Sequence, residues 1–391
     1  MDDVVIVGAG PAGLAAAAAL RTHGLDATIL ERGQHVGEQW RTRYDRLHLH
    51  TIRWLSNLPG YRIPREFGRW VARDQFVQYL EQYAAHHRLE PRFGVEATRI
   101  DRDDGRWCVQ TTAGMVPARV VVVASGYTRV PYLPQWPGAF DGPLIHSADY
   151  RNPRPYRGQD VLIIGAGNSG TEIAVDLAEG GAGRVRIAVR TPPNIVRRDI
   201  KGFPSQLVGI GIQHLPLGLV DPLILELRRA TIPDLAACGL PRPRAPFSQF
   251  RRTATVPIID VGFIDAVRSG AIEVVPAVTA LDGRAVVLAD GARVHPDAIV
   301  AATGYSPDLK PLVGHVTAIG DHGIPSPQPH LHFIGIGIPI SGHLYQMAKD
   351  ARQTAASVAR ELRQKPIRND AEQESISPLA PDMKWWRRTP S

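Results

Sequence analysis

Two glycine-rich turns, each opening directly from an apolar strand, constrain this chain more than any other feature. The first is Gly8-Ala9-Gly10-Pro11-Ala12-Gly13, after Val4 to Val7; the second is Gly165-Ala166-Gly167-Asn168-Ser169-Gly170, after Val161 to Ile164. In a G-x-G-x-x-G turn the first glycine makes the tight turn, the second lets backbone approach a pyrophosphate, and the third lets the next helix pack on its strand. One such turn is weak evidence. A pair, each followed by a helix-forming segment, predicts an α/β fold with two dinucleotide-binding, Rossmann-like domains. Two nucleotides in one chain point to electron transfer between them.

Composition narrows the function classes. At 391 residues, with 44% hydrophobic and 21% charged, the chain has enough apolar material for two cores. The net charge is +7, but the 45 basic residues are scattered and no nucleic-acid motif appears, so no nucleic-acid partner is expected. Phosphorylated small molecules suit that surface instead. Only two cysteines occur, Cys108 and Cys238, so the C-x-x-C pair of a usual disulfide reductase is missing. His48-x-His50 and His330-x-His332 have no carboxylate or cysteine at ligand spacing, so no metal is expected. No apolar run reaches the ~18 residues of a membrane span, and the first strand begins at Asp3, leaving no room for a signal peptide. The expectation is a cytoplasmic protein without stable membrane insertion, with self-association left open.

The ends of the second strand in each unit discriminate the nucleotides. Glu31 follows a strand from Ala27 to Leu30 and is placed to accept both hydroxyl hydrogens of an adenosine ribose, which selects an unphosphorylated ribose as in FAD. In the second unit the strand Arg184 to Val189 ends at Arg190-Thr191. A guanidinium there pairs with a 2'-phosphate that an acid would repel, favouring NADPH over NADH. Arg197 and Arg198 either assist or are solvated.

Further motifs carry a family resemblance. Gly37-Glu38-Gln39-Trp40 is followed by YDRLHLH at 44–50, and the linker before the second turn carries Phe140-x-Gly142-x-x-x-His146-x-x-x-Tyr150. Ala302-Thr303-Gly304-Tyr305 follows a later apolar strand. In this order, over about residues 1 to 362, they resemble the flavin-containing monooxygenases of the class B flavoprotein monooxygenases, most closely the YUCCA-type branch. Where the animal-type branch has an asparagine near the flavin, this sequence has His50.

The resemblance implies an NADP domain inserted in an FAD domain. The expected division is 1–155 (first FAD segment), 156–290 (NADP, with an irregular segment 201–252), 291–364 (second FAD segment) and a tail, 365–391. Strands near Glu96 to Ile100 and Trp107 to Thr111 resemble an inserted hairpin layer. The segment 201–252 reads as a lid, a pocket wall, a membrane-touching surface or a packing helix after Pro222.

The FAD contacts implied are Gly8, Gly10, Pro11, Ala12, Gly13, Glu31, Arg32, Gln39, Trp40, His50, Val95, Ala124, Ser125, Gly126, Thr303, Gly304, His343 and Leu344. Those implied for NADPH are Gly165, Gly167, Asn168, Ser169, Gly170, Arg190 and Thr191. Candidate catalytic residues are His50, His146, Tyr150 and Asn168, although His50 also reads as a packed histidine and His146 as a hinge residue. The implied reaction is hydride transfer from NADPH to FAD, formation of a C4a-hydroperoxide with O2, and delivery of one oxygen atom to a small molecule. A flavin reductase or oxidase and a Baeyer-Villiger enzyme stay open. The YUCCA-type likeness suggests an indole-containing 2-oxo acid, with amines, sulfides and ketones as alternatives.

Overall fold

The computed structural model describes residues 2–103, 105–212, 215–243, 256–320 and 325–363; the expected tail at 365–391 lies outside them. Strand β1 (Asp2–Val7) leads through the first glycine turn into helix α1 (Pro11–Arg21), which starts with proline in its first turn and is buried from Pro11 to Leu20. An alanine run with no polar face must be covered on all sides. Strand β2 (Thr28–Glu31) pairs parallel with β1, and the short α2 (Glu38–Arg41) and the longer α3 (Arg73–His86) follow. Next come β3 (Arg92–Phe93), β4 (Ala97–Asp103), β5 (Arg106–Thr111) and β6 (Gly114–Val123). The sheet order is β3-β2-β1-β6-β5-β4.

Its central strands, β1 and the second half of β6, are apolar on both faces, and the reason is visible in the packing. Val4 and Ile6 belong to the core under α1 and α3, while Val5 and Val7 belong to the opposite core with Ile100, Trp107 and Val109. Burying both faces of a parallel sheet turns alternation into an unbroken apolar run. The hairpin β4–β5, expected from sequence as an inserted layer, is paired onto β6. β6 is long enough to pair antiparallel with β5 over Gly114 to Ala118 and parallel with β1 over Ala118 to Val123, so the hairpin continues the same sheet.

After β6 the chain crosses over through β7 (Val130–Pro131), β8 (Gly138–Phe140) and β9 (Leu144–His146) to β10 (Asp160–Ile164), α4 (Asn168–Glu179) and β11 (Arg184–Val189). Short strands β12 (Ile195–Arg197), β13 (Asp199–Ile200) and β14 (Phe203–Pro204) precede helices α5 (Ser205–Ile212) and α6 (Leu217–Thr231). α6 carries Pro222 in its interior rather than beginning after it. Then follow β15 (Ile258–Asp260), α7 (Phe263–Arg268), β16 (Glu273–Pro276), β17 (Val278–Gly283), β18 (Ala285–Leu288), β19 (Arg293–Val294) and β20 (Ala298–Ala301). The second sheet is wholly parallel, ordered β16-β11-β10-β20-β9.

This corrects two expected divisions. β20 falls in the segment 291–364 expected to return to the first sheet, yet it sits beside β10 at the middle of the second. β9, inside the FAD segment expected over residues 1–155, also pairs there with β20. A strand's local pattern shows that it is buried on both faces but not which sheet buries it.

The return crossing runs through β21 (Tyr305–Ser306), which pairs antiparallel with β7, and then α8 (Lys310–Val313). β22 (Leu331–Phe333) joins the first sheet on β6, and α9 (His343–Arg363) packs on α1. Its buried residues Leu344, Met347, Ala348, Ala351, Ala355 and Val358 recur at helical spacing, one face of a surface helix.

Candidate functional site

The two turns are copies in geometry as well as sequence. Gly8 and Gly165 both have φ +109°, and a Cβ on either would lie 2.5–2.6 Å from the carbonyl oxygen of Ala124 or Ala302. A Cβ on Gly13 or Gly170 would lie 1.9 Å from the carbonyl oxygen of Gly8 or Gly165, so these two glycines set the helix-to-strand approach. Nothing lies within 4 Å of a Cβ on Gly10 or Gly167. Those middle glycines face open space, as a turn that cradles a pyrophosphate requires. Both are helix N-caps without a side-chain cap, so the first N–H groups of α1 and α4 remain available to an anion.

Both turns open on one cavity of about 1300 Å³. From the first half, Gly8, Gly10, Pro11, Ala12, Glu31, Arg32, Gln39, Trp40, His50, Val95, Ala124, Ser125 and Gly126 line it. From the second turn come Gly167, Asn168 and Ser169, and from the return Thr303, Gly304, His343 and Leu344. The donor set fits a flavin nucleotide on this side. Glu31 accepts the amides of Ala9 (2.7 Å) and Gly33 (2.8 Å), one per oxygen, which fixes the carboxylate and leaves lone pairs for ribose hydroxyls. Ser125 Oγ and His343 Nε2 are buried with no partner among the described residues, which is the state of groups that await a ligand. His343 stacks on Tyr127 with ring centroids 4.2 Å apart, and burial pushes its pKa down to about 4, so it faces the cavity neutral.

The wall opposite is apolar, built by Val208 and Ile212 of α5, Ile224 and Leu227 of α6, and Ile338 and Ile340. Of the readings open for 201–252, a pocket wall is thus realised by its described residues; residues 244–252 lie outside them. The outer face of α6 leaves Leu219 and Leu223 exposed. Among the described residues no helix is long and apolar enough to cross a membrane.

Several charged groups on the wall carry no motif of their own in the sequence. Glu172, on α4, is only 3% exposed, accepts from Nε2 of His50, and brings its charge close to the Tyr44 hydroxyl. Burial and the Glu172 carboxylate raise the Tyr44 pKa well above its usual value. Arg43 donates to Thr128 Oγ1 (2.9 Å) and the hydroxyl of Tyr305, with its guanidinium 4.5 Å from the Tyr305 ring centre. Arg198 lies over Trp70, 4.6 Å from the ring centre, and burial lowers its pKa. Arg43 and Tyr44 fall in the segment 37–51 that departs from a strand-helix repeat; that signal marks the segment and not the residue. Glu172 carries no such sign; it stands on α4, two residues past the second glycine turn.

Other candidates lie elsewhere. His146 is buried off the cavity wall, where its Nδ1 accepts the Ala148 amide (3.0 Å) and its Nε2 donates to the Gly304 carbonyl (3.0 Å). Both ring nitrogens are engaged, and they tie the crossing strand to the Gly304 turn. Tyr150 is 1% exposed in the core of the second half and donates to Asp176 Oδ2 (2.8 Å), also off the wall. Asn168 lines the cavity, but its side chain bonds the Pro257 carbonyl (3.2 Å) and the Ile259 amide (2.7 Å), anchoring β15. Gly13, Gly165 and Gly170 act from beneath the wall. Arg190 and Thr191 are exposed at the end of β11, outside the cavity lining. His330 and His332 both contact the Glu361 carboxylate on α9, at 2.9 and 3.1 Å, while His48 bonds the Arg46 carbonyl.

Comparison with known proteins follows the same lines. A family model described as "Pyridine nucleotide-disulphide oxidoreductase" matches residues 5–201. The chain is 38% identical over 309 residues to indole-3-pyruvate monooxygenase YUCCA1 of Oryza sativa subsp. japonica, covering 77% of this chain and 76% of that protein. It is 33% identical over 397 residues to the probable indole-3-pyruvate monooxygenase YUCCA9 of Arabidopsis thaliana, covering 95% and 94%. A doubly substituted flavin monooxygenase from Stenotrophomonas maltophilia superposes with a TM-score of 0.72 at 25% identity, covering 93% of this chain and 100% of that one. The chain is therefore an enzyme of the flavin-containing monooxygenase family, on its YUCCA-type branch, a family that works with FAD and NADPH.

Proposed function

We propose that this enzyme transfers one oxygen atom from O2 to a small organic substrate, with NADPH as the reductant and FAD as the mediator. The observation that carries the reading is the shared cavity: both pyrophosphate turns open on the same walled space, and neither cysteine lines it. The chemistry a flavin held there would supply is acceptance of hydride from NADPH and activation of O2. The chain's own residues have the supporting work. Glu31 holds the ribose, Ser125 and His343 complete the flavin's polar contacts, and Arg190 takes the 2'-phosphate. The apolar wall of α5 and α6 keeps water from the reacting atoms.

For the substrate we favour an aromatic 2-oxo acid. The named relatives are indole-3-pyruvate monooxygenases, and Arg198 lines the cavity with no hydrogen bond or ion pair among the described residues, a guanidinium free for a carboxylate. The test is NADPH consumption against peroxide release across 2-oxo acids, amines, sulfides and ketones. One product per NADPH with aromatic 2-oxo acids supports the reading. Peroxide equal to NADPH with every compound would favour an oxidase, and lactone or ester formation from ketones a Baeyer-Villiger enzyme.

A further inference from the structure

A charged side chain almost without exposure, facing a cavity between two halves of a molecule, is costly unless it is fully paired. Glu172 is such a group. It stands on α4, in the second half, and its partners arrive from the other side: His50 and Tyr44 belong to the segment that follows α2. All three line the cavity. A carboxylate only accepts, so the His50 Nε2 that bonds it must carry the hydrogen. The other ring nitrogen, Nδ1, bonds no described residue and is not sealed from solvent, with the His50 side chain 26% exposed. This is the orientation a carboxylate gives an imidazole in a catalytic pair: one nitrogen fixed, the other presented.

We infer that Glu172 is a positioning residue for the oxygenation, holding the His50 ring so that Nδ1 presents a hydrogen-bond acceptor to the cavity. Charged and titratable groups around Glu172 are Tyr44 and Arg46 from the segment before His50 and Arg198 between β12 and β13. Arg46 itself is engaged by Glu179, so Glu172 is the nearest carboxylate to the imidazole in this arrangement.

The inference rests on the oxygenation reading for its purpose but not for its test. Glu172→Gln removes the charge and keeps the shape. Its amide can donate as well as accept, so the His50 ring is no longer held in one tautomer. In the flavin-loaded enzyme the ring-nitrogen chemical shifts of His50, assigned by their loss in His50→Gln, should report Nε2–H with a bare Nδ1 for the neutral ring of the wild type and a mixture of both tautomers in Glu172→Gln, with kcat lowered and the NADPH KM within about twofold. A wild-type ring carrying its hydrogen on Nδ1, or an unchanged tautomer in the variant, overturns the inference. Should Glu172→Gln fail to fold, the wild-type spectrum decides alone. Failure of oxygenation in wild-type enzyme, with the Nε2–H tautomer present, would count against the proposed function alone.

Discussion

At the scale of single residues, the polar groups of this enzyme divide by whether their hydrogen-bonding capacity is already used. His146, Tyr150 and Asn168 are fully committed to the protein, whereas Ser125, His343 and Arg198 are not. That distinction cannot be read from a motif, because a pattern fixes residue types and not their partners. It leads to two predictions. His343 is neutral in the fold down to about pH 4, while in the unfolded chain it protonates near 6.5. Between those values the unfolded state binds the extra proton, so stability is lost as pH falls through that window. His343→Gln should flatten the fall of the melting temperature from pH 6.5 to 4, measured by thermal scans at each pH. Arg190→Glu, at the exposed end of β11, should raise the NADPH KM about ten- to a hundredfold, the worth of one charge-assisted hydrogen bond, and the NADH KM far less. Equal effects on both coenzymes would remove Arg190 from the 2'-phosphate.

At the scale of elements, each glycine turn separates folding from binding. Gly170→Ala places a methyl 1.9 Å from the Gly165 oxygen and must push α4 off β10, so a loss of about 2 kcal/mol or more in unfolding free energy is expected. Gly167→Ala meets nothing; it should cost less than about 1 kcal/mol in a denaturant titration yet weaken NADPH binding. If both variants lose stability alike, the middle glycine is not a ligand cradle. The same scale shows what the sequence makes legible. Strands at Val4 to Val7, Val120 to Ala124, Val161 to Ile164 and Arg184 to Val189 announce themselves because both faces are buried. The membership of β20 and β9 does not, since a parallel strand reads alike in either sheet. The hairpin β4–β5 is legible as strands, but its continuity with the first sheet depends on β6 running about twice the usual strand length. Of the site, the nucleotide turns and Glu31 are legible from local spacing; Glu172 is not, because its partners His50 and Tyr44 lie more than a hundred residues away.

At the scale of the whole molecule, two cores share one cavity, so ligands act on the halves unequally. FAD should slow amide hydrogen exchange first in β1, α1 and α9, and NADP+ in β10 and α4. Stripping the flavin should lower the melting temperature, and a return to a hundredfold excess over Kd should restore about 2.7 kcal/mol. Uniform protection by either nucleotide would refute the division of labour between the turns. The connections between the halves limit how they can move. Outbound β7 and returning β21 are zipped to each other by Val130 to Ser306 and Pro131 to Tyr305, so the chain does not pass between its halves as two loose cords. They form a single spine. Any swing of one half on the other would turn about that line, with the Arg46–Glu179 ion pair and the His50–Glu172 bond across the cavity to be broken first.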